Sequence, residues 1–127
     1  VLLQATSPIR SADSVDRAIA QLVAEGADSL VGVVPSSPFL WHLGDPPTAE
    51  YPILRRPRRQ DMTDAMIPLR ETGSLYVTRT AIYDDLANRI GGKVSLFVMD
   101  ESEGLDIDTE IDILLADRLL NQIGNHG

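Results

Sequence analysis

Cysteine is absent from the 127-residue chain, which excludes disulfides and thiol chemistry and is compatible with a cytoplasmic protein. Histidine is nearly absent: His42 and His126 are the whole supply, so one chain cannot build a multi-histidine metal centre. Aromatic residues make up 5%, and the core must therefore be mostly aliphatic. No stretch approaches the ~18 apolar residues of a membrane span, and no basic–apolar–small-residue signal opens these residues. Positive charge is short as well. Eleven basic side chains face nineteen acidic ones, for a net charge of −8, which argues against a nucleic-acid surface with its basic footprint.

Acid, in contrast, is concentrated. Asp106, Asp108, Glu110 and Asp112 fall within Gly104–Asp112, between an expected strand and an amphipathic helix. On extended chain Asp106 and Asp108 project from one face, and two hard oxygen donors aimed at one point suit Mg²⁺, which takes one or two carboxylates plus substrate phosphates. Thr109 and Asp112 fit the S/T-x-x-D/E pattern of a helix start. The acids therefore have two readings, a metal site or a cap favoured by the helix macrodipole. The basic residues cluster too, with Arg55, Arg56, Arg58 and Arg59 within five positions. They read either as a hold for an anionic ligand or acidic partner, or as a solvated loop.

Hydrophobic spacing predicts an α/β domain with a mostly parallel sheet. Residues 1–4 read as a strand. A helix over about 12–25 follows, with Ser11 as N-cap, an apolar stripe of Val15, Ala18, Ile19, Leu22 and Val23, and Gly26 at its end. Residues 29–34 read as a strand buried on both faces, completing a βαβ unit. Seven of the eight prolines lie between Pro35 and Pro68, and regular periodicity is lost there. Within this stretch Phe39, Leu40 and Trp41 read either as a local cap or as an interface with a partner subunit. Order returns with a strand over 74–78, after Gly73, and a short helix over about 81–89, capped by Thr80, with Ile82, Leu86 and Ile90 inward. A strand over 94–99 precedes the acidic stretch. The last helix, about 110–123, is expected to bury Ile111, Leu114, Leu115, Leu119 and Ile123. The expected organisation is an α/β core from 1–35 and 71–127, with 36–70 as an irregular segment for dimerisation and substrate. The apolar opening at Val1-Leu2-Leu3 reads as continuing a longer polypeptide.

Three blocks occur in an order that resembles the acylneuraminate cytidylyltransferases, the CMP-sialic acid synthetases. Leu2-Leu3-Gln4-Ala5-Thr6-Ser7-Pro8-Ile9-Arg10 resembles their L-L-Q-P-T-S-P-L-R. Arg70-Glu71-Thr72-Gly73-Ser74-Leu75-Tyr76 resembles R-x-N-G-A-I-Y, preceded by Arg58-Arg59-Gln60-Asp61 for R-R-Q-D. Leu105-Asp106-Ile107-Asp108-Thr109-Glu110-Ile111-Asp112 resembles I-D-I-D-T-E-L-D. The resemblance implies a Rossmann-like nucleotide-diphospho-sugar transferase fold whose N-terminal strands lie outside these residues. It implies Mg²⁺-dependent transfer of CMP from CTP to a sialic-type sugar acid by a cytoplasmic homodimer, with no membrane or nucleic-acid partner. Asp106 and Asp108 match the Mg²⁺ ligands and so the catalytic pair. Gln4, Arg59, Arg70 and Tyr76 match positions around the sugar acid. A planar arginine fork suits its carboxylate, and Gln4 and Tyr76 would add neutral hydrogen bonds.

The departures also carry expectations. Ala5 stands for a proline. Thr72 stands for an asparagine, and a hydroxyl cannot reproduce an amide's donor–acceptor pair. The family's phosphate loop, A-R-x-G-S-K-x-x-x-x-K-N, has no counterpart in these residues, so the isolated chain is expected to lack turnover. No residue identifies itself as a general base. Two alternatives stay open: a non-catalytic, self-associating module of such an enzyme, or a cytidylyltransferase for another sugar acid, Kdo- or pseudaminate-like.

Overall fold

A computed structural model describes residues 1–124. The chain divides into two compact units, one from Val1–Val34 with the residues from Glu71 on, the other Pro35–Arg70.

The elements run in the order β1 (Leu2–Leu3), α1 (Ser14–Ala24), β2 (Ser29–Pro35), β3 (Trp41–His42), β4 (Thr48–Ala49), β5 (Leu69–Thr78), α2 (Thr80–Leu86), β6 (Val94–Val98) and α3 (Glu110–Gly124). In the first unit the sheet order is β1-β5-β2-β6. The fold is α/β, but the sheet is mixed rather than mostly parallel. β2 and β6 pair in parallel, from Ser29↔Val94 to Val33↔Val98. β1 pairs antiparallel with β5, Leu2 opposite Tyr76. β5 also runs against β2: the Arg79 N–H donates to the Asp28 carbonyl at 2.9 Å, and farther back along β5 the Thr72 hydroxyl donates to the Gly32 carbonyl at 3.1 Å. The expected βαβ unit is thus split. β1 and β2 share a direction, but β5 lies between them. A parallel neighbour needs a crossover, usually a helix. β5 instead follows the irregular 36–70 stretch and returns reversed.

Burial follows strand alternation. Leu30, Val34, Leu75, Val77, Phe97 and Met99 join Ala18 and Leu22 of α1 in one core cluster. Val31, Val33 and Tyr76 form a second, with Leu2 and Ile90 packed on it. β2 is buried on both faces from Ser29 to Val34. Gly32 has a steric reason to lack a side chain, because a Cβ there would sit 2.6 Å from Met99 Sδ. The inward stripe of α1 is narrower than expected, since Ile19 and Val23 are exposed.

The helices depart further. α1 starts at Ser14, later than Ser11 would cap, and its N-cap residue Asp13 makes no side-chain cap bond. α2 begins at Thr80 itself, and Leu86 is exposed. In α3, Ile111, Leu114 and Leu115 are exposed rather than buried and Leu119 is half-buried, while Ala116 is buried. The side chain of Ile123 lies outside the described residues. Periodicity identifies an apolar face; it does not identify what covers that face. Among the described residues, no helix is long and apolar enough to cross a membrane.

The second unit holds the hairpin β3–β4, with Trp41 opposite Ala49, and three single-turn 3₁₀ segments. Tyr51 is its hub. Phe39 and Trp41 meet the Tyr51 ring edge-on at 5.2 and 5.9 Å, and the Trp41 indole N–H donates to the Tyr51 hydroxyl at 3.2 Å. The Arg56 guanidinium covers the Phe39 ring at 3.9 Å, so one arginine of the basic cluster stacks on an aromatic face. The aromatic group acts as a local core, although Leu40 and Trp41 stay about half exposed.

Candidate functional site

After β1 the chain turns sharply: the Ser7 N–H donates to the Gln4 carbonyl at 3.3 Å. The Arg10 guanidinium fastens this turn to β5, donating to the Ser74 carbonyl and hydroxyl at 2.9 and 3.0 Å and to the Ser7 carbonyl at 3.4 Å. The acidic stretch is laced to the same turn, because the Ile107 N–H donates to the Thr6 carbonyl at 2.8 Å. Three stretches far apart in sequence thereby meet at Gly73. Its φ of +71° favours glycine. A Cβ there would lie 2.6 Å from Gln4 Oε1, 3.6 Å from Ser7 Oγ and 3.8 Å from Asp106 Oδ2.

Gln4 and Asp106 are half-buried and Asp108 is exposed. Tyr76 is buried in the second core cluster. Its hydroxyl donates to Glu71 Oε2 at 3.1 Å, and the Arg89 guanidinium covers its ring at 4.6 Å. Burial raises the phenol's pKa; the bond to Glu71 and the charges of Glu71 and Asp106 add to the rise, against the opposing charge of Arg89. The structure thus brings Gln4 and Asp106 together over Gly73, with Tyr76 within electrostatic reach of Asp106. Arg59, which opens a 3₁₀ turn, and Arg70, on β5, are exposed residues of the second unit. Thr72 is buried, and its hydroxyl both donates to Gly32 and accepts from the Ser74 N–H at 3.1 Å. It braces the sheet.

The other acids have separate tasks. The Asp112 carboxylate accepts from the Asp108 N–H, the Thr109 N–H and the Thr109 hydroxyl at 3.1, 2.8 and 2.7 Å. The Thr109 hydroxyl accepts from the Asp112 N–H at 3.4 Å, which closes a reciprocal capping box on α3. The bonds from Thr109 and Asp108 hold the Asp112 pKa below its ordinary value. Glu103, buried, accepts from the Ser11 N–H and the Ser14 hydroxyl, each at 2.7 Å, and from the Asp100 N–H at 3.0 Å. Burial alone would raise its pKa; the donors from Ser11, Ser14 and Asp100 outweigh that, and the net shift is downward. Sequence reading missed this group, although Asp100 and Glu103 show capping-box spacing.

With Asp112 engaged as a cap, the remaining carboxylates of the acidic stretch are Asp106, which accepts from the Ser7 hydroxyl at 3.4 Å, and the exposed Asp108 and Glu110. No cluster of three or more His, Asp or Glu side chains able to hold a metal occurs among the described residues. Asp106 and Asp108 by number and type would suit Mg²⁺, which takes one or two carboxylates and completes its shell with water and phosphate oxygens, and would not make an all-protein cage. A cleft of about 460 Å³ lined by Ile9–Ala12, Asp100, Ser102 and Glu103 contains neither carboxylate of the pair.

No family model matches the chain. It is 25% identical over 131 residues to N-acylneuraminate cytidylyltransferase B of Danio rerio, and 29% identical over 131 residues to N-acylneuraminate cytidylyltransferase A of the same species. Each alignment covers 98% of this chain and 30% of the relative. The chain is distantly similar to N-acylneuraminate cytidylyltransferases. It spans about 30% of the length of the curated relatives it matches.

Proposed function

We propose that this chain supplies the sugar-acid and metal side of a cytidylyltransferase that moves CMP from CTP to a sialic-type sugar acid and releases pyrophosphate. The observation that carries the reading is the meeting of Gln4, Gly73 and Asp106, one residue from each of the three blocks. The similarity to N-acylneuraminate cytidylyltransferases supports it. In this proposal the α/β unit is part of a nucleotide-diphospho-sugar transferase fold, and the phosphate-cradling loop belongs to polypeptide outside these 127 residues.

The sugar hydroxyl attacks the α-phosphorus, the bond from that phosphorus to the β-phosphate oxygen breaks, pyrophosphate leaves, and the hydroxyl proton passes to water. Asp106 and Asp108 would hold Mg²⁺, which supplies charge neutralisation at the phosphates. Gln4, with both a donor and an acceptor, orients the sugar acid. Tyr76 acts through its hydrogen bond to Glu71. Arg59 and Arg70 are candidates for the sugar carboxylate on the match between guanidinium and carboxylate geometry.

The test supplies the protein that carries this chain with CTP, Mg²⁺ and N-acetylneuraminate. Pyrophosphate should appear, stop with chelator, and be absent from the 127-residue chain alone. Silence with N-acetylneuraminate but turnover with Kdo or pseudaminate would move the substrate; silence with all three would remove the enzymatic reading.

A second reading, self-association into a homodimer through 36–70, is favoured by Leu43 and Leu54, both fully exposed in that unit. Sedimentation equilibrium should show a dimer that Leu54→Glu dissociates. A concentration-independent monomer in the wild type would end this reading.

A further inference from the structure

We infer that the Ser7 hydroxyl is a positioning group for the Asp106 carboxylate and so sets the divalent-cation affinity of the pair; the inference rests on the metal reading above. Ser7 is 1% exposed. Its Oγ stands 3.2 Å from the Thr72 carbonyl and 3.4 Å from Asp106 Oδ1. A hydroxyl has one hydrogen for two acceptors, and the ionised carboxylate is the stronger of them. The backbone on both sides fixes the geometry. The Ser7 N–H closes the turn onto Gln4, and Thr6, next to Ser7, accepts from Ile107, next to Asp106. Oδ1 is thereby anchored, while Oδ2 lies 3.8 Å from where a Cβ on Gly73 would stand. Groups that orient a ligating carboxylate typically change metal affinity by about 10–100-fold when removed.

A purely structural role, bracing the turn against Thr72, would lower stability without touching the metal. Ser14→Ala provides that comparison. Ser14 is as buried as Ser7 and donates to a different carboxylate, Glu103.

The experiment is a Mn²⁺ titration followed by electron paramagnetic resonance on the protein that carries this chain. Ser7→Ala should weaken Mn²⁺ binding about tenfold or more, Ser7→Thr should restore most of the affinity, and Ser14→Ala should bind as wild type despite lower stability. Should Ser7→Ala not fold, Ser7→Cys, with its weak donor, should give an intermediate affinity. Wild-type Mn²⁺ binding by Ser7→Ala or, in its place, by Ser7→Cys, alongside a loss in Asp106→Asn, overturns the positioning role and leaves the metal reading standing. Wild-type binding by Asp106→Asn removes the metal reading, and the Ser7 inference falls with it.

Discussion

Asp106→Asn should slow pyrophosphate release at least about a thousandfold and leave the melting temperature nearly unchanged. The rate estimate follows from the several kcal/mol that metal-borne charge stabilisation contributes at a transferring phosphoryl group, at about 1.36 kcal/mol per factor of ten. The stability estimate follows from the structure. A carboxylate that capped a helix would destabilise the fold when neutralised, but the α3 cap is carried by Thr109 and Asp112 and the group at the start of α1 is Glu103. Asp106 caps neither. Asparagine keeps its shape and can still accept from Ser7, so the charge is what is removed. Steady-state rates at saturating CTP and sugar acid, with thermal melts beside them, make the check. A rate within tenfold of wild type, or a melt lowered as far as a lost cap would lower it, would return Asp106 to a structural role.

Much of the local structure is legible in the residues. The 3.6-residue spacing of Ala18 and Leu22 places α1, the apolar run 29–34 marks a strand buried on both faces, and the Thr109–Asp112 spacing gives a cap that the hydrogen bonds realise. Strand order and direction are another matter. Three of the four strands in the main sheet share a direction, which reads as a parallel sheet, yet the one reversed strand, β5, makes antiparallel ladders on both sides. β5 also begins at Leu69, not after Gly73, because Arg70, Glu71 and an intervening glycine conceal its period. The partial legibility of α3 has the same root. Its stripe was visible, but Ile111 and Leu114 face solvent.

The candidate site was legible in kind rather than in arrangement. By spacing alone Asp106 and Asp108 read either as a metal pair or as part of a helix cap. Nothing local connects them to Gln4 or Gly73, and only the order of the three blocks did so. Ser7 was present in the first block but carried no signal, since a serine beside a proline reads as an ordinary turn residue. Glu103 was hidden by richer acid nearby. In the second unit Phe39 and Trp41 stood out, while Tyr51, ten residues beyond Trp41, turned out to organise both.

Glu103→Gln should lower stability at pH 7 by about 2 kcal/mol, roughly 5–10 °C in melting temperature for a chain of this size. Oε1 of Glu103 receives the Ser11 N–H and the Ser14 hydroxyl, while Oε2 receives the Asp100 N–H. A glutamine must turn its NH₂ toward one of these sides, setting donor against donor in a buried place. Glu103→Ala would strand all three donors and cost more, a large share of a total that is ordinarily about 5–15 kcal/mol; glutamine keeps the test within the range of folded protein. The pH dependence identifies the cause. Glu103 has a folded pKa below the unfolded glutamate value of about 4.3. Its contribution is therefore complete above that value and is lost as pH falls through the folded pKa. The difference between wild type and Glu103→Gln should be full at pH 7 and shrink as pH falls below about 4. Asp100 and Asp112, also held below their ordinary pKa values, slope the wild-type curve in the same direction, so the difference between the two proteins is the quantity to read. Melts from pH 7 to pH 3 decide it. A gap that stays constant across that range would show that the packing of Glu103, and not its charge, secures the start of α1.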